Sequence, residues 1–149
     1  MTMPETIPIG SDHAGFQLKE RLKEELRRLG YGVEDVGTDS ASSVDYPDFA
    51  HPVAERVKRG AAQRGVLLCG TGLGMSYAAN RHAGVRAAVA WSPEIARLPR
   101  EQNDANVLVL PARFLSEDEG VAILKTWLET PFEGGRHGRR VEKIEPEHA

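Results

Sequence analysis

The chain has 149 residues, enough for one domain with a sizeable core, and a net charge of −3 that gives no reason to expect nucleic acid as its main partner. Hydrophobic content of 40% and charged content of 28% are those of an ordinary globular protein, and no apolar run approaches membrane length. Met1 to Thr6 is short and polar rather than a leader, and a lone cysteine forms no internal disulfide, so a cytoplasmic protein is expected.

Ile7-Pro8-Ile9-Gly10 reads as a brief strand, with the proline at its very beginning. It runs into the polar turn Ser11-Asp12-His13-Ala14-Gly15. Phe16, Leu18, Leu22, Leu26 and Leu29 then recur mostly at three- and four-residue steps, which predicts an amphipathic helix stopped by Gly30. Val33 to Val36 is a second strand, followed by a Ser-rich loop. Asp45-Tyr46-Pro47-Asp48 reads as a turn and cap, and Phe49, Val53 and Val57 give the next helix its apolar stripe.

Val66 to Leu68 is a short apolar run of the kind found in buried parallel strands. It stops at Cys69 and passes into Gly70-Thr71-Gly72-Leu73-Gly74, then into the small, helix-compatible residues Met75 to Asn80. A strand, a glycine loop and a helix start point backbone N–H groups at one spot, where an anion is stabilised. Helix starts also favour a thiolate over a thiol. The stretch therefore reads as an active-site loop, although a cysteine closing a buried strand also serves as a small hydrophobe. The glycines lack the GxGxxG spacing, and no acidic ribose ligand follows at the usual distance, so a dinucleotide is not expected.

Arg86 to Trp91 predicts the fourth strand, and Ser92-Pro93-Glu94 caps a short helix that Pro99 limits or kinks. Val107 to Leu110 is the fifth strand. Ser116 and Glu119 have capping-box spacing, opening a helix with Val121, Ile123, Leu124, Trp127 and Leu128 on its buried face. Five alternations of strand and helix predict a parallel sheet with helices on both faces, whose ligands bind at the carboxyl edge where strand order reverses. Asp12-His13, Cys69 to Thr71, and the residues around Asn103 and Arg113 all follow apolar segments and could converge there. The tail is different. Arg136-His137-Gly138-Arg139-Arg140 is either a phosphate clamp, with Arg136 and Arg140 on one helix face, or a solvated terminus.

Taken together, Gly10-Ser11-Asp12-His13-Ala14-Gly15-Phe16, Asp45-Tyr46-Pro47 and Cys69-Gly70-Thr71-Gly72-Leu73-Gly74 form a pattern. It continues through Ala78-Ala79-Asn80, Asn103-Asp104-Ala105-Asn106-Val107 and Gly134-Gly135-Arg136-His137. The pattern resembles the type B ribose-5-phosphate isomerases, relatives of the galactose-6-phosphate isomerases, and covers nearly the whole chain. The resemblance implies a Rossmann-like three-layer α/β/α sandwich with a five-stranded parallel sheet. The whole chain, 1–149, would form a single domain, its basic segment 134–149 contacting a partner subunit in a homodimer or dimer of dimers. It implies interconversion of an aldose phosphate and a ketose phosphate without metal or nicotinamide cofactor, with ribose 5-phosphate as default substrate. By the resemblance Cys69 is the base, and Thr71 with Gly70, Gly72, Leu73 and Gly74 holds the enediolate oxygen. Asp12, His13 and Tyr46 meet the sugar, Asn103 is a further ligand, and Arg113, Arg136 and Arg140 bind phosphate.

One position departs from the family. A histidine that opens the sugar ring commonly precedes Asn103, and here that residue is Gln102, which donates a hydrogen bond but exchanges no proton at neutral pH. A ring-free substrate such as a tetrose phosphate is thus an alternative, and a silent phosphosugar-binding module a further one. His51 and His82 are expected to be structural or exposed, and no histidine pair has metal-ligand spacing in the sequence.

Overall fold

A computed structural model describes residues 3–148. The chain alternates β1 (Thr6–Ser11), α1 (Phe16–Arg28), β2 (Gly32–Asp35), α2 (Pro47–Lys58), β3 (Gly65–Cys69) and α3 (Leu73–Ala79). It continues with β4 (Ala87–Val89), α4 (Pro93–Asn103), β5 (Val107–Pro111), α5 (Glu117–Glu129) and α6 (Arg136–Glu142). Among the described residues the five strands form one parallel sheet in the order β2-β1-β3-β5-β4. The chain winds outward from β1 to β2, then crosses back to β3. The strand order therefore reverses between β1 and β3, where a parallel sheet opens a crevice beyond its carboxyl ends.

The pleat sorts the core into two layers. Ile7, Ile9, Val66, Leu68, Leu108 and Leu110 face one side and pack with Leu22 and Leu26 of α1, Ala96 of α4 and Ile123, Leu124 and Trp127 of α5. The alternate residues Leu67, Cys69, Val107 and Val109 face the other side and meet Val53 and Ala54 of α2 and Met75 and Ala79 of α3. A period of two in each strand thus delivers the Cys69 side chain to the α2–α3 face. Helix α6 packs against α4.

Three local expectations are corrected. Pro8 is the third residue of β1, not its start; pairing with β3 begins only at Ile9, so the missing N–H costs that ladder nothing. Pro99 does not end α4, which continues to Asn103 and closes at Asp104 in a left-handed conformation, φ 49°. The fourth strand is only Ala87–Val89, a short edge strand paired to β5 alone. The capping box forms as expected: the Glu119 N–H donates to Ser116 Oγ (3.1 Å) and the Ser116 N–H to Glu119 Oε1 (2.8 Å).

A buried ion pair anchors the frame under the carboxyl edge. Lys19 on α1 is fully buried and donates to both carboxylate oxygens of Asp35, at 2.8 and 2.7 Å. Partial burial raises the Asp35 carboxyl, but hydrogen bonds from Lys19, Lys23 and the Gly37 N–H outweigh it and hold the group below the usual carboxylate range. Gly37 in turn accepts from the Ser11 N–H at 2.8 Å, one residue before Asp12.

Candidate active site

Asp12, His13, Tyr46, Cys69, Gly70, Thr71, Gly74 and Arg113 line one cleft of about 200 Å³ at the strand-order reversal. They come from the ends of β1, β3 and β5 and the starts of α2 and α3. Asp12 is buried; its backbone N–H donates to the Leu68 carbonyl at 3.2 Å, and its Oδ1 accepts from the Gly15 N–H at 3.1 Å. His13 Nδ1 accepts from the Val44 N–H at 3.2 Å, so the neutral ring carries its proton on Nε2. Nothing in the residue types singles out Val44, because only its backbone takes part.

The glycine loop is shaped by what leans on it. Gly72 has φ +80°, a conformation that side-chain-bearing residues rarely adopt. A Cβ on Gly74 would stand 2.6 Å from the Tyr46 ring, and one on Gly70 would stand 3.1 Å from the Arg113 guanidinium. Tyr46 and Arg113 therefore lie directly on the loop. The Arg113 N–H also donates to the Gly70 carbonyl at 3.0 Å. Thr71 Oγ1 accepts from the Leu73 N–H at 3.2 Å, which leaves its own proton free to be donated. The N–H groups of Thr71, Gly72 and Gly74 meet no backbone acceptor outside regular elements among the described residues. Buried Cys69 thus sits beside a set of uncommitted donors.

The other proposed ligands lie elsewhere. Asn103 ends α4 just ahead of β5, whereas Arg113 follows β5, so roughly 17 Å of strand separates the two levels. Asn103 faces a second cleft of about 590 Å³, beside Arg86, Ile144 and Glu145. Gln102 is exposed next to it. The Glu133 N–H donates to the Glu101 carbonyl at 3.1 Å, which fixes the start of the tail to this amino edge. Arg136 and Arg140 follow, exposed on α6 and one turn apart. The convergence expected of residues that follow apolar segments holds for Asp12-His13, Cys69 to Thr71 and Arg113 but not for Asn103: a helix antiparallel to the strands returns its C-terminus to the opposite edge.

Beside the first cleft, Thr71, Leu73, Val89, Trp91, Pro111 and Phe114 line an apolar groove of about 490 Å³. Leu73 is 48% exposed, Trp91 59% and Phe114 71%, a concentration of open hydrophobic surface that no motif in the sequence marks. Its only signal there is a pair of aromatics placed just after strands. Among the described residues no group of three or more His, Cys, Asp or Glu side chains is arranged to hold a metal, and no helix is long and apolar enough to cross a membrane.

The match to known proteins agrees with this geometry. The model of the Ribose/Galactose Isomerase family matches residues 7–144, so the chain belongs to that family. Ribose-5-phosphate isomerase B of Escherichia coli is 44% identical over 138 residues, 93% of each chain. The crystal structure of a ribose 5-phosphate isomerase from Thermotoga maritima superposes with a TM-score of 0.92 at 52% identity, covering 95% of this chain and 98% of that one. A Mycoplasma genitalium ribose-5-phosphate isomerase B with bound ribulose-5-phosphate gives a TM-score of 0.93 at 42% identity, covering 98% and 97%. The chain is a sugar-phosphate isomerase of the aldose–ketose type.

Proposed function

We propose that the protein interconverts ribose 5-phosphate and ribulose 5-phosphate through a cis-enediolate, with Cys69 as the base. The observation that carries this reading is the meeting of Cys69, the Gly70–Gly74 loop, Asp12, His13 and Arg113 in one cleft. A proton alpha to a carbonyl is weakly acidic, so the reaction needs both a base and stabilisation of the oxyanion. The Cys69 sulfur takes the C2 proton of the aldose and returns it to C1. Loop N–H groups and the Thr71 hydroxyl donate to the developing oxyanion, and losing one such donor typically costs about 3–4 kcal/mol. The oxygen-bound proton passes from O2 to O1 beside Thr71. Asp12, His13 and Tyr46 orient the sugar, and remote phosphate contacts hold it in register.

The working site takes Gln102, Asn103, Arg136 and Arg140 from a second copy of the chain. The support is that these four lie on the amino edge, while an apolar groove opens beside the cleft on the carboxyl edge. In this reading residues 1–149 act as one domain in a homodimer or dimer of dimers, the segment 134–149 reaching the partner. The lone Cys69 suits a reducing cytoplasm.

Mixing tests the shared site. A Cys69→Ala chain and an Arg136→Ala/Arg140→Ala chain, each nearly inactive alone, should regain about a quarter of native activity when refolded together, because half the dimers then hold one intact site. No gain on mixing would place the whole site in one chain. A second reading follows from Gln102, which moves no proton: the preferred substrate is an open-chain tetrose phosphate that needs no ring opening. Rates on a panel of aldose and ketose phosphates separate the two. No turnover of any of them would leave a phosphosugar-binding module.

A further inference from the structure

A second cluster of ionisable side chains lies outside the cleft, on the outer side of α2 and α3. His51 and Glu55 stand one turn apart on α2, and His82 follows α3 in the turn that leads towards β4. Their sequence separation conceals the contact. His51 Nδ1 lies 2.7 Å from His82 Nε2, and His82 Nδ1 lies 3.0 Å from Glu55 Oε1. The ring centroids are 5.0 Å apart with planes tilted by 54°, so the two nitrogens meet nearly head-on.

The contacts assign the protons. The Glu55 carboxylate can only accept, so His82 Nδ1 carries a hydrogen and the neutral ring presents a lone pair at Nε2. That lone pair accepts from His51 Nδ1–H, and a single proton therefore sits between the two imidazoles. A carboxylate behind a histidine whose other nitrogen faces a second donor is the outer-shell arrangement that orients imidazoles on a metal. The His82 side chain is only 13% exposed, which keeps its Nε2 aimed, whereas His51 is exposed and free to turn.

We propose that His51 Nδ1 and His82 Nε2 chelate a divalent late transition-metal ion, with Glu55 as the positioning carboxylate. Binding replaces the shared proton: His51 Nδ1 gives it to solvent while His51 Nε2 takes one up, so the ring stays neutral as its Nε2–H tautomer, and water fills the remaining positions. Metal–nitrogen bonds of about 2.0–2.1 Å place the two donors about 2.9 Å apart at a right angle and about 3.3 Å apart at a tetrahedral one. Because the nitrogens now meet head-on, His51 must swing by about 70–90° for its lone pair to converge with that of His82 on the ion, a movement its exposure on α2 permits. Two imidazoles select Zn²⁺, Cu²⁺ or Ni²⁺, while Mg²⁺ and Ca²⁺ prefer oxygen donors. The ion ties α2 to the turn after α3, the same pair of helices that Tyr46 and Gly74 join at the cleft.

The test uses the full chain, stripped with a chelator and dialysed against Zn²⁺ or Cu²⁺. The native protein should retain one ion per chain at this site, and the spectrum of bound Cu²⁺ in electron paramagnetic resonance should show coupling to two imidazole nitrogens. His51→Ala and His82→Ala should each abolish that ion, and Glu55→Gln should weaken it by about 10–100-fold. Metal-free isomerase activity should be unchanged in all three. His51 is exposed, so its variant keeps the test decisive even where His82→Ala folds poorly. Retention of the ion in His51→Ala, a thiolate signature pointing to Cys69, or no ion held by the native chain would each overturn the proposal, the last leaving a shared-proton contact only.

Discussion

The two edges of the sheet carry chemistry in different states of completion. At the carboxyl edge the groups are already held: His13 by the Val44 N–H, Asp12 by the Gly15 N–H, and the glycine loop by Tyr46 and Arg113. At the amino edge Gln102, Arg136 and Arg140 project from helix ends into solvent, and the salt bridges among the described residues leave both arginines unpaired. The proposed base and oxyanion donors thus belong to a preorganised frame with Arg113, while Arg136 and Arg140, the other proposed phosphate ligands, wait for something to bind. Atoms that move a proton tolerate little misplacement, whereas a long guanidinium tolerates more and can arrive from another chain.

The sharpest way to break this contrast is to remove the proposed base. Cys69→Ala should lower kcat by about 10²–10⁴-fold, with phosphorylated ligands still bound, as read by steady-state kinetics beside ligand titration. Near-native turnover would take the chemistry away from the carboxyl edge. The rigidity of that edge is tested next by Asp35→Asn, which leaves the buried Lys19 ammonium with only the more distant Glu20 carboxylate, 3.8 Å away, as countercharge. A loss of about 3–5 kcal/mol in denaturant unfolding is expected. Because the folded carboxyl titrates below its unfolded value, this stabilisation is complete above about pH 4 and fades as the pH falls through the folded pKa. The variant should therefore lose most of its disadvantage in acid.

At the amino edge the effects should be smaller. Arg136→Ala or Arg140→Ala removes one charge-assisted contact worth about 1.5–3 kcal/mol, so kcat/KM on a sugar phosphate should fall by about 10–150-fold. Equal activity on phosphorylated and unphosphorylated sugars would rule out the clamp. Gln102→His should change least on an open-chain tetrose phosphate and should raise kcat/KM on ribose 5-phosphate. A native protein already fast on ribose 5-phosphate, with no gain from the histidine, would dismiss the open-chain reading.

Much of the carboxyl edge is legible in the amino-acid sequence. The apolar run Val66 to Leu68, the cysteine that ends it and the glycines that follow specify a strand and loop by local rules, and the same holds for Asp12 and His13 after β1. The amino edge is not legible, for an equally physical reason. Asn103 precedes an apolar strand by a few residues, and proximity in sequence to the strand does not say which of its ends is near. Pro8 and Pro99 mislead in the same way. A proline forbids one hydrogen bond, but whether the neighbouring strand or turn uses that bond is set by pairing, and β3 joins β1 only from Ile9 onward.

The sequence by itself determined the alternation of strands and helices, the family and the identity of the chemical groups, because hydrophobic periodicity, caps and motif residues act over a few positions. Only the tertiary structure decided which groups meet. The reversal between β1 and β3 brings Asp12 beside Cys69, and the return of α4 carries Asn103 to the far edge. Packing of α2 on α3 sets His51 against His82 across 31 positions of chain. Such meetings depend on strand order and helix direction, which arise from burying both faces of one sheet at once, and no short stretch of sequence contains that information.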